Sequence, residues 1–258
     1  MVFESIFLLL WVGLIGLIVG SYLNVLIHRI PRGKSTVLPR SSCPYCRGPI
    51  RARDNLPVLS FLLLRGRCRL CRAPISWRYP VIEGLTATLF MASFFKFGIS
   101  PGLVLALVFS CLMVLLAAID MEHFLLPDRL TLPGIVIGLA LQLWAPMPGF
   151  LDAVVGTLIG AGILILVINY WYWWRGEEGM GIGDVNMLAL IGAFLGWQGV
   201  LTTMVLATSS GALVGIGMLL AGRLGMRSRL PFGFFLALGG LLTLFFGDLL
   251  VAYYSGLL

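Results

Sequence analysis

From Ile6 to Ile27 the chain carries no charged side chain. In hydrocarbon every backbone amide needs a partner within the chain, so such a segment has one stable solution, a membrane-crossing helix. A helix needs about 20 residues to cross about 30 Å of lipid. On that ruler eight spans are expected, near residues 5–27, 81–98, 101–119, 131–146, 150–174, 184–198, 200–222 and 231–256. Composition agrees, since 11% of the residues are charged against about 25% in soluble domains. The first run is too long for a signal-peptide core and follows Glu4 rather than a basic stretch, so it is read as a retained span. The expected fold class is an all-α polytopic membrane protein.

The charge is unevenly spread. Twelve of the 18 Lys and Arg residues lie between Arg29 and Arg78, a stretch whose one acid is Asp54. A basic polar segment between apolar spans reads as a cytoplasmic loop. With residues 29–80 inside, alternation puts Arg129, Arg175, Arg223, Arg227 and Arg229 inside as well and leaves Lys96 near the outer face. Both termini then lie outside. The net charge of +7 follows from this topology and from attraction to the lipid bilayer, so no nucleic-acid partner is expected. Three segments result: a first span at 1–28, a cytoplasmic loop at 29–80 and a membrane domain at 81–258.

The loop contains Cys43-Pro-Tyr-Cys46 and Cys68-Arg-Leu-Cys71, two CxxC pairs separated by 21 residues. Each pair offers two sulfurs on one tight turn, and two turns complete a tetrahedron around Zn²⁺. Four thiolates leave the metal no open position, so the zinc is expected to be structural. It would staple a loop too polar to build a secure core. The alternative, a pair of disulfides, fits poorly with a reducing compartment. Cys111, alone in an apolar span, reads as a small packing residue.

Acidic side chains at membrane depth are costly and call for a reason. Asp120 ends the third span, and Asp184 opens the sixth after Gly179-Met-Gly-Ile-Gly183. The topology puts both at the cytoplasmic face. Two carboxylates at one depth can share a proton, one acting as base on a water and the other as acid toward a carbonyl. The glycines, Gly181 and Gly183 among them, let a substrate strand approach the backbone closely. The competing reading makes Asp184 a helix N-cap, and Asp128 a turn residue and N-cap for the fourth span, paired with Arg129. Glu122, Glu177 and Glu178 read as interfacial charges.

The ordered set of motifs resembles the bifunctional prepilin peptidases, which are GxGD-type intramembrane aspartyl proteases. It comprises Gly20-Ser-Tyr-Leu-Asn-Val-Leu-Ile-His-Arg-Ile-Pro31, the two CxxC pairs, Asp54-Asn-Leu-Pro57, Leu64-Arg-Gly-Arg-Cys68, Ile75-Ser-Trp-Arg-Tyr-Pro80 through Glu83, Asp120 with Leu-Pro-Asp128, and Gly-Met-Gly-Ile-Gly-Asp184. The resemblance implies that Asp120 and Asp184 form the catalytic pair. It implies removal of a short basic leader from type IV prepilins or type II secretion pseudopilins at the cytoplasmic face of the bacterial inner membrane. It also implies N-methylation of the new N-terminal residue with S-adenosylmethionine, an activity that fits the basic loop, where Gly66 is a candidate for close backbone approach. Family members commonly carry Lys two residues after the second aspartate, where this chain has Asn186. A basic leader facing a basic loop needs acidic contacts, and Glu177 and Glu178 are the nearest candidates with Glu122 and Asp128.

Two readings of other classes compete. A transporter would use Asp120 and Asp184 as an ion relay, although no internal repeat of the transporter kind is evident. A non-enzymatic assembly factor would use the zinc loop to dock a secretion ATPase.

Overall fold

The computed structural model describes residues 2–38, 41–145, 148–176, 181–222 and 230–257. Within them the chain is helical, with two isolated β-bridges and no β-strand. It divides into two compact units, Met1–Ile99 and Ser100–Leu258.

The first unit contains α1 (Val2–Arg29), the short α2 (Leu59–Leu63) and α3 (Arg78–Phe97). A Cβ placed on Gly16 would meet the Ala87 Cα at 2.7 Å, and one on Gly20 the Glu83 Cα at 2.8 Å. Glycines four apart thus let α1 lie directly on the α3 backbone, a close packing available to small residues. Polar groups lock the same seam. Buried Asn24 donates to the carbonyls of Gly20 (3.3 Å) and Tyr79 (3.2 Å). Buried Glu83 accepts the Val58 amide at 2.7 Å and pairs with Ser21, which fastens the start of α2 to both long helices.

The second unit contains α4 (Pro101–His123), α5 (Asp128–Gln142), α6 (Phe150–Arg175), α7 (Ile182–Leu220) and α8 (Phe232–Leu257). Its centre is filled by Phe109, Met113 and Leu116 of α4, Ile191 and Phe194 of α7 and Leu236 of α8, all fully buried. The Phe109 and Phe194 rings meet at 5.3 Å. Glycines again set the closest helix pair: a Cβ on Gly160 of α6 would strike the Leu188 carbonyl of α7 at 2.6 Å, and Gly192 faces the Gly156 carbonyl. Inside α7, Gly196 adopts φ +69° and ψ −176°, which interrupts the helical ladder. Gln142 donates to the Phe194 carbonyl at 2.9 Å beside that break, meeting a hydrogen-bonding need that low-dielectric surroundings make costly to ignore.

Each of the eight expected spans contains helix, with the fourth ending early at Gln142 and the sixth and seventh joined in α7 and divided at Gly196 rather than near 199. Among the described residues five helices are long and apolar enough to cross a membrane: Ile6–Arg32, Pro101–His123, Phe150–Arg175, Ile182–Leu220 and Phe232–Tyr253. The 15-residue α5 reaches only about 22 Å, and α3 carries Arg78, Glu83 and Lys96. Pro133, expected at the start of a span, lies inside α5. The helix begins earlier than the apolar pattern suggests, because the Pro127 carbonyl accepts from Leu130 and Thr131.

Candidate active site

Asp120 sits in the last turn of α4, which ends when Phe124 turns left-handed at φ +51°. The carboxylate is buried, at 6% exposure. Its Oδ2 accepts the backbone amide of Phe234, in the first turn of α8, at 3.0 Å, with the Gly233 amide beside it. Gly233 is a fit requirement, since a Cβ there would meet Oδ2 at 2.9 Å. Asp184 lies in the first turn of α7, half-buried.

One residue holds these helix ends together. Buried Leu126, in the short link after α4, presents its Cβ and carbonyl to Gly183 (2.9 and 3.2 Å from a notional Cβ) and its methyl groups to Gly233 (2.9 and 3.0 Å). Gly183 is therefore shaped by packing on Leu126, whereas Gly181 has nothing closer than 3.9 Å.

Neither Asp184 nor Asp128 is an N-cap residue. The N-cap of α7 is Gly181, and Asp184, in the first turn, instead turns its carboxylate back to the Gly181 amide. The N-cap of α5 is Pro127, and Asp128 instead accepts a 2.8 Å hydrogen bond from Asn186. Thus Asn186 addresses Asp128, which corrects both the N-cap reading of Asp128 and its pairing with Arg129. Glu177, Glu178 and Gly179 lie outside the described residues.

In the other unit the four loop cysteines converge. The sulfurs of Cys43, Cys46, Cys68 and Cys71 all lie within 4.8 Å of one another, and those of Cys43 and Cys71 are 3.8 Å apart. Four sulfurs each about 2.3 Å from a zinc ion stand about 3.8 Å apart along a tetrahedral edge. A disulfide needs about 2.05 Å, and all four thiols are free. The donor set fits a tetrahedral metal ion. The amides of Cys71 and Leu70 point at the Cys68 sulfur and, with the neighbouring thiols, bring its pKa down to about 7. At Cys71 the Ala73 amide lowers the value, but burial and the sulfurs of Cys46, Cys68 and Cys43 outweigh it and push it up to about 11.

The two halves of this cluster repeat one another. Cys43-Pro-Tyr-Cys46-Arg-Gly-Pro-Ile50 and Cys68-Arg-Leu-Cys71-Arg-Ala-Pro-Ile75 share a CxxCRxPI pattern. In each, the amide of the first cysteine donates five residues ahead, to Gly48 (3.0 Å) or Ala73 (2.8 Å). The arginine after the second cysteine turns left-handed, at φ +55° for Arg47 and +58° for Arg72. The duplication is written in the sequence and is longer than the CxxC spacing alone reveals. Asp54 is held beside the second half by Arg69, through contacts of 2.7 and 3.0 Å. That hydrogen-bonded guanidinium keeps the Asp54 carboxyl below its usual range. Next to it, Gly66 at φ +66° borders a cavity of about 350 Å³ lined by Phe61, Leu62, Arg65, Pro74, Ile75 and Trp77.

Residues 14–97 match the Bacterial Peptidase A24 N-terminal domain, and residues 107–216 match the Type IV leader peptidase family. A protein from Aeromonas hydrophila described as a prepilin leader peptidase/N-methyltransferase is 39% identical, over 94% of this chain and 92% of its own length. The chain belongs to the type IV leader peptidase family. A family member from Burkholderia pseudomallei (strain 1026b) with the same description is 38% identical, over 90% of this chain and 84% of its own. Another, from Legionella pneumophila, is 35% identical over 97% and 95%. No solved structure matches. Among leader peptidase features, the α8 residues that meet Asp120 lie beyond both matched stretches, and sequence reasoning missed them. Pro231, the first residue of the expected 231–256 span, was the available signal, because a helix start exposes amides that a carboxylate can accept.

Proposed function

We propose that this protein is a membrane aspartyl endopeptidase that removes the short basic leader of type IV prepilins or type II secretion pseudopilins. It works at the cytoplasmic face of the bacterial inner membrane and N-methylates the new N-terminal residue. The observation that supports the reading is that Leu126 packs on both Gly183, next to Asp184, and Gly233, beside the Asp120 Oδ2, which draws two acids from different helices toward one site. In such a pair one carboxylate takes a proton from water as the water oxygen bonds to the scissile carbonyl carbon, and the other donates a proton to the carbonyl oxygen. The C–N bond then breaks as the departing nitrogen takes up a proton, which restores the starting state of the pair.

The segments take separate roles: 1–28 as an anchor, 29–80 as the methylation-associated loop and 81–258 as the peptidase. Cys43, Cys46, Cys68 and Cys71 hold structural zinc. Gly66 and the adjoining cavity fit S-adenosylmethionine, with Trp77 and Phe61 offering aromatic faces to its adenine and Arg65 a guanidinium to its carboxylate. That donor would supply the methyl group to the amine freed by cleavage. Gly181 and Gly183 border the extended substrate, and Glu177 and Glu178 receive the basic leader.

Purified protein in detergent, given a synthetic prepilin peptide, tests the reading by mass spectrometry of the products. Asp120→Asn and Asp184→Asn should each abolish cleavage while retaining the helical circular-dichroism spectrum. Near wild-type turnover by either variant would remove that residue from catalysis.

A further inference from the structure

The two aspartates stand in unequal surroundings. Asp120 Oδ2 receives the Phe234 amide at 3.0 Å and lies against the Gly233 amide. Both amides belong to the first turn of α8, where helical N–H groups have no carbonyl partner and the helix end is partially positive. Among the described residues, Asp184 has the Gly181 amide alone. Gly233 closes the arrangement by lacking a Cβ, and Leu126 presses on it from the other side. Other ionisable groups on the packed elements are Glu122 and His123 on α4, Asp128 and Arg129 at the start of α5, and Asp184 on α7. The first turn of α8 brings no acid. Asp184 has a helix start of its own, in α7, so the difference lies in the amides: two from α8 address Asp120, and that favours the anion there.

We infer that the first turn of α8 is the positioning element of the catalytic pair: the Phe234 and Gly233 amides hold Asp120 as the ionised partner, and Asp184 carries the shared proton. The inference rests on the peptidase reading and adds a direction to it. Asp120 takes the proton from the attacking water, whose oxygen bonds to the carbonyl carbon. Asp184 gives its proton to the carbonyl oxygen. Collapse of the tetrahedral species breaks the C–N bond, the leaving nitrogen takes the proton from Asp120, and Asp184 is reprotonated from the hydroxyl of the collapsing species. One water and one peptide give one acid and one amine.

The test compares Phe234→Pro with Phe234→Leu. Proline removes the amide hydrogen and is tolerated in a first helical turn, whereas leucine changes the side chain and keeps the amide. Loss of one hydrogen bond to a charged group predicts that Phe234→Pro lowers kcat about 10- to 100-fold. The acid limb of its kcat–pH profile should move up by about one to two pH units, with KM unchanged. Phe234→Leu should keep the wild-type acid limb. Gly233→Ala serves if the proline variant does not fold: it keeps both amides but displaces Oδ2, so kcat should fall and the acid limb rise in the same direction. A wild-type acid limb in the folded proline variant, or in Gly233→Ala where proline does not fold, overturns the inference. So does a leucine variant that shifts as far as proline. Asp120→Asn, assayed alongside, separates the two levels: if it still cleaves, the dyad reading itself is wrong. If it is dead beside an unshifted proline variant, only the role of α8 fails.

Discussion

The two described glycines of the Gly-Met-Gly-Ile-Gly-Asp184 motif should respond in opposite ways to alanine. At Gly183 a new Cβ would stand 2.9 Å from the Leu126 Cβ and 3.2 Å from its carbonyl oxygen. Alanine gains about 1 kcal/mol of helix propensity over glycine, and overpacking costs about 1–3 kcal/mol. The net effect on stability is therefore small, within about 2 kcal/mol. Activity should respond far more, because the atoms that must yield are a backbone carbonyl and the Leu126 wedge, which also bears on Gly233 beside Asp120. A displacement on the order of 1 Å at reacting groups can cost about 10²-fold, so kcat of Gly183→Ala should fall on that scale. At Gly181 the nearest atoms stand 3.9 Å from a notional Cβ and φ is −82°. Gly181→Ala should keep its activity to within about two- to threefold. The assay is steady-state cleavage of a prepilin peptide with thermal unfolding of each variant measured in parallel. The reverse order, an inactive Gly181→Ala beside an active Gly183→Ala, would refute packing on Leu126 as the dominant constraint and make the approach of substrate to Gly181 the tighter one.

Metal analysis should find one zinc per chain with sulfur ligands at about 2.3 Å. Cys46→Ser should lose that metal and impair methyl transfer more than cleavage, and a metal-free protein with four intact thiols would defeat the claim. Because Arg69 depresses the folded-state pKa of Asp54, the pair stabilises the loop above the ordinary carboxylate value of about 3.9. That contribution is lost as pH falls through the lowered value. Arg69→Gln should remove it, so limited proteolysis of the loop should begin at a higher pH in the variant, and identical acid profiles would count against the pairing. Charge reversal at Glu177 and Glu178 together should raise KM for a basic-leader peptide more than it lowers kcat. Added salt should blunt the effect, since exposed charges are screened within about 10 Å at 0.1 M, and unchanged kinetics at low ionic strength would exclude them as leader contacts.

The sequence exposes what depends on composition and spacing. Charge-free runs place the long helices, and two CxxC pairs mark four sulfurs that do converge. Both aspartates stand out because acids at membrane depth are rare. What stays hidden depends on which helix end faces which. The contact between Asp120 and Phe234 spans 114 residues of sequence, and backbone amides carry no residue-type signature. Leu126 looks like any loop leucine until the two glycines against it are seen. The break in α7 escaped for a related reason: Gly196 is one glycine among 32, and only its packing on Pro148 and its positive φ set it apart.

The separation of Asp120 from its α8 partner also has a consequence in time. A ribosome adding about 5–20 residues per second takes about 6–23 s to travel the 114 residues from Asp120 to Phe234. Asp184 is added 64 residues after Asp120, so for the last 50 residues before Phe234 both acids are present while the α8 amides do not yet exist. On the inference that α8 positions Asp120, competence arrives only when α8 does, so the order of synthesis delays the enzyme until its membrane domain is assembled.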